Sequence, residues 1–349
     1  MKTSLVITTI SAPTRPMHEF AEGSKQRGID FTVIGDSITP ADFALDGCDY
    51  YSVERQLKTD FQFAAVAPLR HYARKNIGYL ASIAKGAEII IESDDDNYPL
   101  AGFWDERQRT QRVQVLKNAG WVNVYSYYSS ENIWPRGIPL DSVRQASPSL
   151  ANLPLEDADC PIQQGLCNGD PDVDAIYRLI NPLPIDFDER QSLALAANSW
   201  CPFNSQNTTW WRDAFPLLYL PGTCSIRMTD IWRGFVAQRI AWAAGWNLLF
   251  HSSTVYQERN AHNLMRDFKD EISGYLNNRT IAERFEKLPL KSAVEDIPEN
   301  LLLCYEELAK LELVDARELI WLQAWLADMA EFSAVQVVED GSPSAKQKY

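Results

Sequence analysis

Residues 73–97 read ARKNIGYLASIAKGAEIIIESDDDN, and three local rules meet in that stretch. Leu69, Ala73, Ile77, Leu80 and Ala84 fall on one helical stripe, which predicts a helix over about 67–85 that Gly86 stops. Glu88–Glu92 is an isoleucine run of strand length, as buried strands are. Ser93-Asp94-Asp95-Asp96-Asn97 then leaves the carboxyl end of that strand. Toward the N-terminus, Leu5–Thr9 is a β-rich run that ends in a Ser-Ala-Pro-Thr turn. Pro16 suits the first turn of a helix running toward Arg27, and Phe31–Ile34 is a second strand closed by Gly35-Asp36. Strand, helix, strand, helix, strand in this order predicts an α/β fold with a mainly parallel sheet flanked by helices. Ligands of such sheets bind beyond the carboxyl ends of the strands. The sequence places Thr8, Thr9, Asp36 and Asp94–Asp96 there.

From Ser129 to about Ser192 Pro, Asp and Asn dominate, which predicts long functional loops. Met228–Ala244 has helical spacing, and Leu248–His251 is a short strand. Beyond Asn263 the composition changes. Leu264–Leu276, Ile297–Leu311 and Ala316–Phe332 each suit an amphipathic helix, punctuated by Pro289 and Pro298. The expected division is an α/β domain over 1–263, a C-terminal helical extension over 264–340 and a disordered tail over 341–349. The aromatic run Ile320–Trp325 suits packing onto the α/β domain or a homodimer interface.

The chain carries 47 Asp and Glu against 33 Lys and Arg, a net charge of −14, which argues against nucleic-acid binding through phosphates. The six cysteines form no CxxC pair, so structural zinc and a disulfide framework are not expected, and a cytoplasmic setting is. The most apolar stretch, Ile240–Phe250, falls short of the ~20 residues of a membrane span. The N-terminal apolar run is too short for a secretory signal. Membrane association, if any, would be peripheral.

Three adjacent carboxylates repel one another. A hard divalent cation, Mn²⁺ or Mg²⁺, relieves that repulsion through oxygen ligands and shares the site with phosphate oxygens; a solvated acidic turn is the plain alternative. Arg70, Arg74, Lys75 and Asn76 at the start of the preceding helix can meet a diphosphate, or form a basic solvent face. Asp230 opens a helix, where an acidic residue serves either as a cap or as a carboxylate aimed at a reacting hydroxyl. Arg233 lies one turn further on, a candidate for sugar or phosphate.

The basic helix start, buried strand and acidic triad together resemble the nucleotide-sugar-binding half of GT-A glycosyltransferases, whose DxD-type motif holds a metal that bridges the donor diphosphate. Trp134-Pro135-Arg136-Gly137-Ile138-Pro139 resembles the RGxP segment of reversibly glycosylated polypeptides, the UDP-arabinopyranose mutases, in which that arginine is glycosylated. Asp170–Ala175 is similar to their PDxDAP segment, and Thr229–Gly234 to their DDMWxGW segment, with Thr229 at the first Asp. From Thr8 to Asn263 the chain resembles the STELLO glycosyltransferase-like family still more. The blocks are TTI-APT, Gly35-Asp36 with Thr39-Pro40, SDDDN, PFNSQNT (Pro202–Thr208) and TDIWRGFVAQR; the C-terminal helices fall outside them.

The resemblance implies a metal-dependent GT-A-like glycosyltransferase, with a nucleoside-diphosphate sugar (a UDP-sugar favoured) as donor and a glycan or lipid-linked hydroxyl as acceptor. It implies Thr8, Thr9, Asp36, Arg70, Arg74, Lys75, Asn76, Asp94 and Asp95 on the donor and Asp94 and Asp96 on Mn²⁺ or Mg²⁺. Asp230, Arg136 and Arg233 would be catalytic. GT-A enzymes often add one late histidine to the metal, and His251, at a strand end, ranks ahead of His262. Two other functions fit the same residues: a pyranose/furanose mutase glycosylated on Arg136, and a non-catalytic scaffold for glycan-synthesis enzymes.

Overall fold

The computed structural model describes residues 1–258 and 263–340; His262 and the expected tail, 341–349, lie outside the described residues. The chain opens with β1 (Thr3–Thr9), α1 (Arg15–Arg27), β2 (Asp30–Gly35) and β3 (Asp49–Tyr51). Thr14 caps α1 by accepting from Met17 N, Pro16 sits in its first turn, and Gly28 ends it at φ 66°. Short helices α2 (Val53–Gln56) and α3 (Gln62–Val66) lead to α4 (Lys75–Ala84), β4 (Ile89–Ser93) and β5 (Asn97–Pro99). The middle of the chain supplies β6 (Thr110–Leu116), β7 (Gly120–Trp121), β8 (Leu155–Asp159), β9 (Ile162–Gly169), α5 (Ala175–Ile180), β10 (Leu193–Leu195), β11 (Ser199–Trp200) and β12 (Asn207–Trp211). Then come α6 (Thr229–Ala243), β13 (Leu248–Gln257), α7 (Leu264–Glu286), α8 (Ile297–Lys310) and α9 (Arg317–Asp340).

The main sheet runs β3-β2-β1-β4-β12-β9-β13-β10-β6-β8, with β5 paired to β13, and β7 pairs β11 apart from it. Strands β1 to β4 are parallel, as expected. The rest is mixed: β12 runs antiparallel to both β4 and β9, while β9 and β13 are parallel. The expectation of a mainly parallel sheet thus holds for the first half alone. The reason is the acidic turn: β4 passes through it directly into β5, with no crossover helix to carry the chain back for another parallel neighbour. The architecture is a mixed α/β sandwich with helices on both faces, compatible with a GT-A-like glycosyltransferase fold. Alternation along the strands divides the core. Leu5, Ile7, Ile89 and Ile91 face Met17 and Phe20 of α1. Val6 and Ile90 face Ile77 and Leu80 of α4, in the cluster that includes α6 and the C-terminal helices.

Helix α4 begins at Lys75, after a tight 3₁₀ turn over Tyr72–Arg74, rather than near residue 67. Pro68 disfavours helical backbone at Ala67, whose ψ is 128°. Arg70 adopts φ 54° and, with His71, donates its backbone N–H to the Asp36 carboxylate at 2.9 and 3.1 Å. The basic stretch is therefore a loop strapped to the end of β2.

The C-terminal helices pack into the same core. Asp328 on α9 accepts from Gln62 N and Phe63 N at 2.8 and 2.9 Å, capping α3. Buried Glu318 accepts from Tyr219 Oη at 2.5 Å and from Gly222 N and Thr223 N at 3.1 and 2.8 Å. Trp325, fully buried, packs edge-on to Phe63, so the aromatic run faces the α/β body. Among the described residues, no helix is long and apolar enough to cross a membrane.

Candidate active site

The three aspartates sit half-buried on the turn between β4 and β5, the Asp94 side chain 29% exposed. Each is held by a different element. Asp94 accepts from Tyr72 Oη at 2.7 Å, with Lys75 Nζ at 3.4 Å. Asp95 accepts from Thr9 Oγ1 at 2.5 Å, at the end of β1, and its carbonyl accepts from Thr14. Asp96 accepts from Gln257 Nε2 at 2.8 Å, at the end of β13. Burial raises all three carboxyls above the usual aspartate range. Asp96 rises to about 7, because burial and then the Asp94 charge raise it and Gln257 only partly opposes them.

Behind the turn lies a second carboxylate centre. Arg136 donates Nε–H to Asp172 Oδ1 at 2.7 Å and Nη2–H to Asp172 Oδ2 and Asp230 Oδ2, both at 2.9 Å. Its Nη1 donates to Asp230 Oδ1 at 3.1 Å and to the carbonyl of Arg227. All five guanidinium N–H bonds are thereby used. Burial works against ionisation of Asp172, but Arg136 outweighs it and holds the carboxyl below the usual range. The PFNSQNT segment joins the two centres: Ser205 Oγ lies 2.7 Å from Tyr72 Oη and 3.4 Å from Asp230 Oδ2, and Asn204 Nδ2 donates to Asp172 Oδ2 at 2.8 Å.

Of the expected site residues, the structure brings Thr9, Lys75, Asp94, Asp95, Asp96, Asp230 and Arg136 into this one network, and Asp36 and Arg70 to its rim. Arg70 is exposed, and its guanidinium makes no hydrogen bond or ion pair with the described residues. Several others face elsewhere. Arg74 is buried and spends its guanidinium on Gln56 Oε1 and the carbonyls of Ala67 and Pro68. Asn76 pairs with the backbone of Leu220 at 2.9 Å in both directions. Thr8 donates to the Ile34 carbonyl at 3.0 Å. Arg233 forms a buried ion pair with Glu92, 2.9 Å away, over the Trp210 ring, and Trp210 and Tyr79 bind the same carboxylate. All four side chains are turned to partners inside the protein and away from the acidic turn.

His251 lies within a strand and not at its end: β13 continues to Gln257, six residues or about 20 Å further on. Its Nδ1 lies 2.9 Å from the Ser252 carbonyl, and burial, with Arg107 nearby, pushes the imidazole down to about 3. The end of that strand brings Gln257, and not His251, to Asp96.

Little in the sequence pointed to Tyr72, Asp172, Ser205 or Gln257. Asp172 and Ser205 lie in blocks already singled out, but nothing distinguished them from their polar neighbours. Among the described residues no three His, Cys, Asp or Glu side chains converge as a metal cage. The turn could supply Asp94 and Asp96, leaving phosphate oxygens and water to complete a shell, as Mg²⁺ and Mn²⁺ sites commonly do. The raised carboxyls are the donor set that such an ion would stabilise. The turn is an open rim: a cavity of about 430 Å³ lies instead beside Trp134, Leu140 and Ile180, lined by none of the three aspartates.

Residues 227–342 match the family model described as STELLO glycosyltransferases. Two Arabidopsis thaliana proteins are similar over 267 residues, 71% of this chain and 35% of each relative: probable glycosyltransferase STELLO2, 30% identical, and probable glycosyltransferase STELLO1, 29% identical. The chain thus spans about a third of the length of the curated relatives it matches. The family match runs from the start of α6 through α9, so the C-terminal helices lie inside the resemblance and not outside it as expected.

Proposed function

The two comparisons support membership of the STELLO glycosyltransferase family, and from that premise we propose that the chain transfers a sugar from a nucleoside-diphosphate sugar, a UDP-sugar first, to a glycan or lipid-linked hydroxyl, with Mn²⁺ or Mg²⁺ at the acidic turn. The observation that carries this reading is the apposition of a half-exposed, protonation-prone aspartate turn to the buried Asp230–Arg136–Asp172 centre through Tyr72 and Ser205. Asp94 and Asp96 would hold the ion, which when bound would neutralise charge on the leaving diphosphate. Asp95, tied to Thr9, fixes the turn. Asp36 orders the loop that presents Arg70, an exposed cation at the rim, and Lys75 balances Asp94 from beneath. Asp230 serves the acceptor side: the hydroxyl proton passes to its carboxylate, the acceptor oxygen bonds the anomeric carbon, and the bond from that carbon to the diphosphate breaks. Arg136, locked between two carboxylates, orients Asp230.

The same lock weighs against the mutase reading, because no N–H of Arg136 is left to bond a sugar. A scaffold would bind no donor at all. The experiment is nucleotide Kd, with and without EDTA, beside kcat on a panel of nucleotide sugars. Asp230→Asn should lower kcat by about 10²–10⁴-fold, the usual worth of a general base, with donor affinity changed far less. Asp94→Asn should weaken ion-dependent donor binding as well. Equal nucleotide affinity with and without EDTA, or normal turnover in Asp230→Asn, overturns the corresponding assignment.

A further inference from the structure

Tyr72 and Ser205 have one hydroxyl proton each and more acceptors than they can serve. Tyr72 Oη lies 2.7 Å from Asp94 Oδ1, from Ser205 Oγ and from Lys75 Nζ. Lys75 can only donate, so one lone pair of Tyr72 is taken. A phenol has one proton to give, so Tyr72 can donate to only one of the other two. That leaves two arrangements. In the first, Tyr72 donates to Asp94 and Ser205 donates to Tyr72, so Asp230 receives nothing from the serine hydroxyl. In the second, Tyr72 donates to Ser205 and Ser205 donates to Asp230, while Asp94 keeps only Lys75, at 3.4 Å. The ion-free distances favour the first: the Ser205 hydroxyl is 2.7 Å from Tyr72 and 3.4 Å from Asp230 Oδ2.

The geometry points to Tyr72 and Ser205 as a positioning pair that couples the two carboxylate centres, so that a cation on Asp94 redirects both hydroxyl protons toward Asp230. This rests on the reading of Asp94 as a ligand of the donor's divalent ion. A cation on Asp94 supplies the positive charge that the phenol proton otherwise provides and leaves that proton to Ser205. The serine hydroxyl then fixes Asp230 Oδ2, and the acceptor carboxylate is set once the donor's ion is in place. Lys75, with three protons for Tyr72, Ser93 O at 2.6 Å and Ser205 O at 3.2 Å, holds the oxygens in place in both arrangements.

The pair makes a prediction that packing alone does not. Tyr72 and Asp230 are not hydrogen-bonded to each other, and the direct pull of the Asp230 charge on an ion at Asp94 acts with or without the phenol, so the part of the effect that disappears with Tyr72 belongs to the relay. The test is a double-mutant cycle on Mn²⁺ affinity, read by the EPR signal of free Mn²⁺, with Mn²⁺ alone and with UDP added. Asp230→Asn should weaken Mn²⁺ binding by about threefold in the otherwise native chain, within the usual range of such couplings, and by measurably less in Tyr72→Phe. Ser205→Ala, which cuts the relay in the middle, should reduce the effect in the same way, and it keeps the test valid if Tyr72→Phe is poorly folded. Equal effects of Asp230→Asn with and without Tyr72, or no effect at all, overturn the relay while leaving the ion-binding reading intact. Failure of Mn²⁺ to bind the native chain in the presence of UDP overturns both.

Discussion

Arg136 shows how a residue can sit at the centre of a site and still be closed to chemistry. The residue is 5% exposed, and every guanidinium N–H is committed to Asp172, Asp230 or Arg227 O. Arg136→Ala would leave two buried carboxylates without their counter-charge, a loss of about 3–5 kcal/mol that urea denaturation would report. Intact mass after incubation with labelled nucleotide sugars should show no adduct on the native chain; a stable sugar adduct at Arg136 would restore the mutase reading. Asp96 makes a different kind of prediction. Its carboxyl rises from 3.8 to about 7 on folding. The folded chain binds that proton more tightly, so the stability it contributes is fully present below about pH 4 and lost as pH rises through 7. Asp96→Asn should therefore raise the Tm of the ion-free protein at pH 8 by a few degrees, and by less at pH 5. An equal gain at both values would mean the shift has another origin.

At the scale of elements, α4 lies close on the sheet because of Gly78. A Cβ there would meet Val6 Cγ1 at 2.6 Å and Ile34 Cγ1 at 2.8 Å, both on buried strands with no room to yield. Gly78→Ala should cost about 1–3 kcal/mol by overpacking, seen as a lower urea midpoint with an unchanged m-value. The strands and helices around this contact were legible because each obeys one period: the isoleucines of β4, the stripe of α4, the Pro16 entry to α1. β9 was not. Five of its eight residues are Gln, Gly or Asn, which reads as loop, yet it lies between β12 and β13. Those polar side chains are buried because they carry the site: Gln164 Oε1 accepts from Asn204 N and Thr208 Oγ1 at 2.9 and 3.0 Å. The same reason hid Arg74, Asn76 and Arg233. Charge and position suggested ligands, and only packing shows that their partners are carbonyls, amides and a buried glutamate. The acidic turn stood out because nothing in local structure calls for three adjacent carboxylates.

At the scale of the whole molecule, the C-terminal helices are structural partners of the α/β body. Glu318 and Asp328 satisfy backbone donors in the loop before α6 and at the start of α3, and Trp325 fills the space between Phe63 and Tyr219. A chain ending at residue 263 would leave those donors and rings uncovered. It should retain far-UV circular dichroism, lose near-UV signal and bind ANS; a cooperative thermal transition in that fragment would show instead that the first 263 residues fold alone. Asp328 reaches Phe63 across 265 residues of chain. At ribosomal speeds of about 5–20 residues per second, the cap on α3 trails its helix by roughly 13–53 s. During that interval the nascent polypeptide exposes an unfinished apolar surface. Factors that shelter emerging chains thus have a definite window in which to act, and it closes only when α9 clears the exit tunnel.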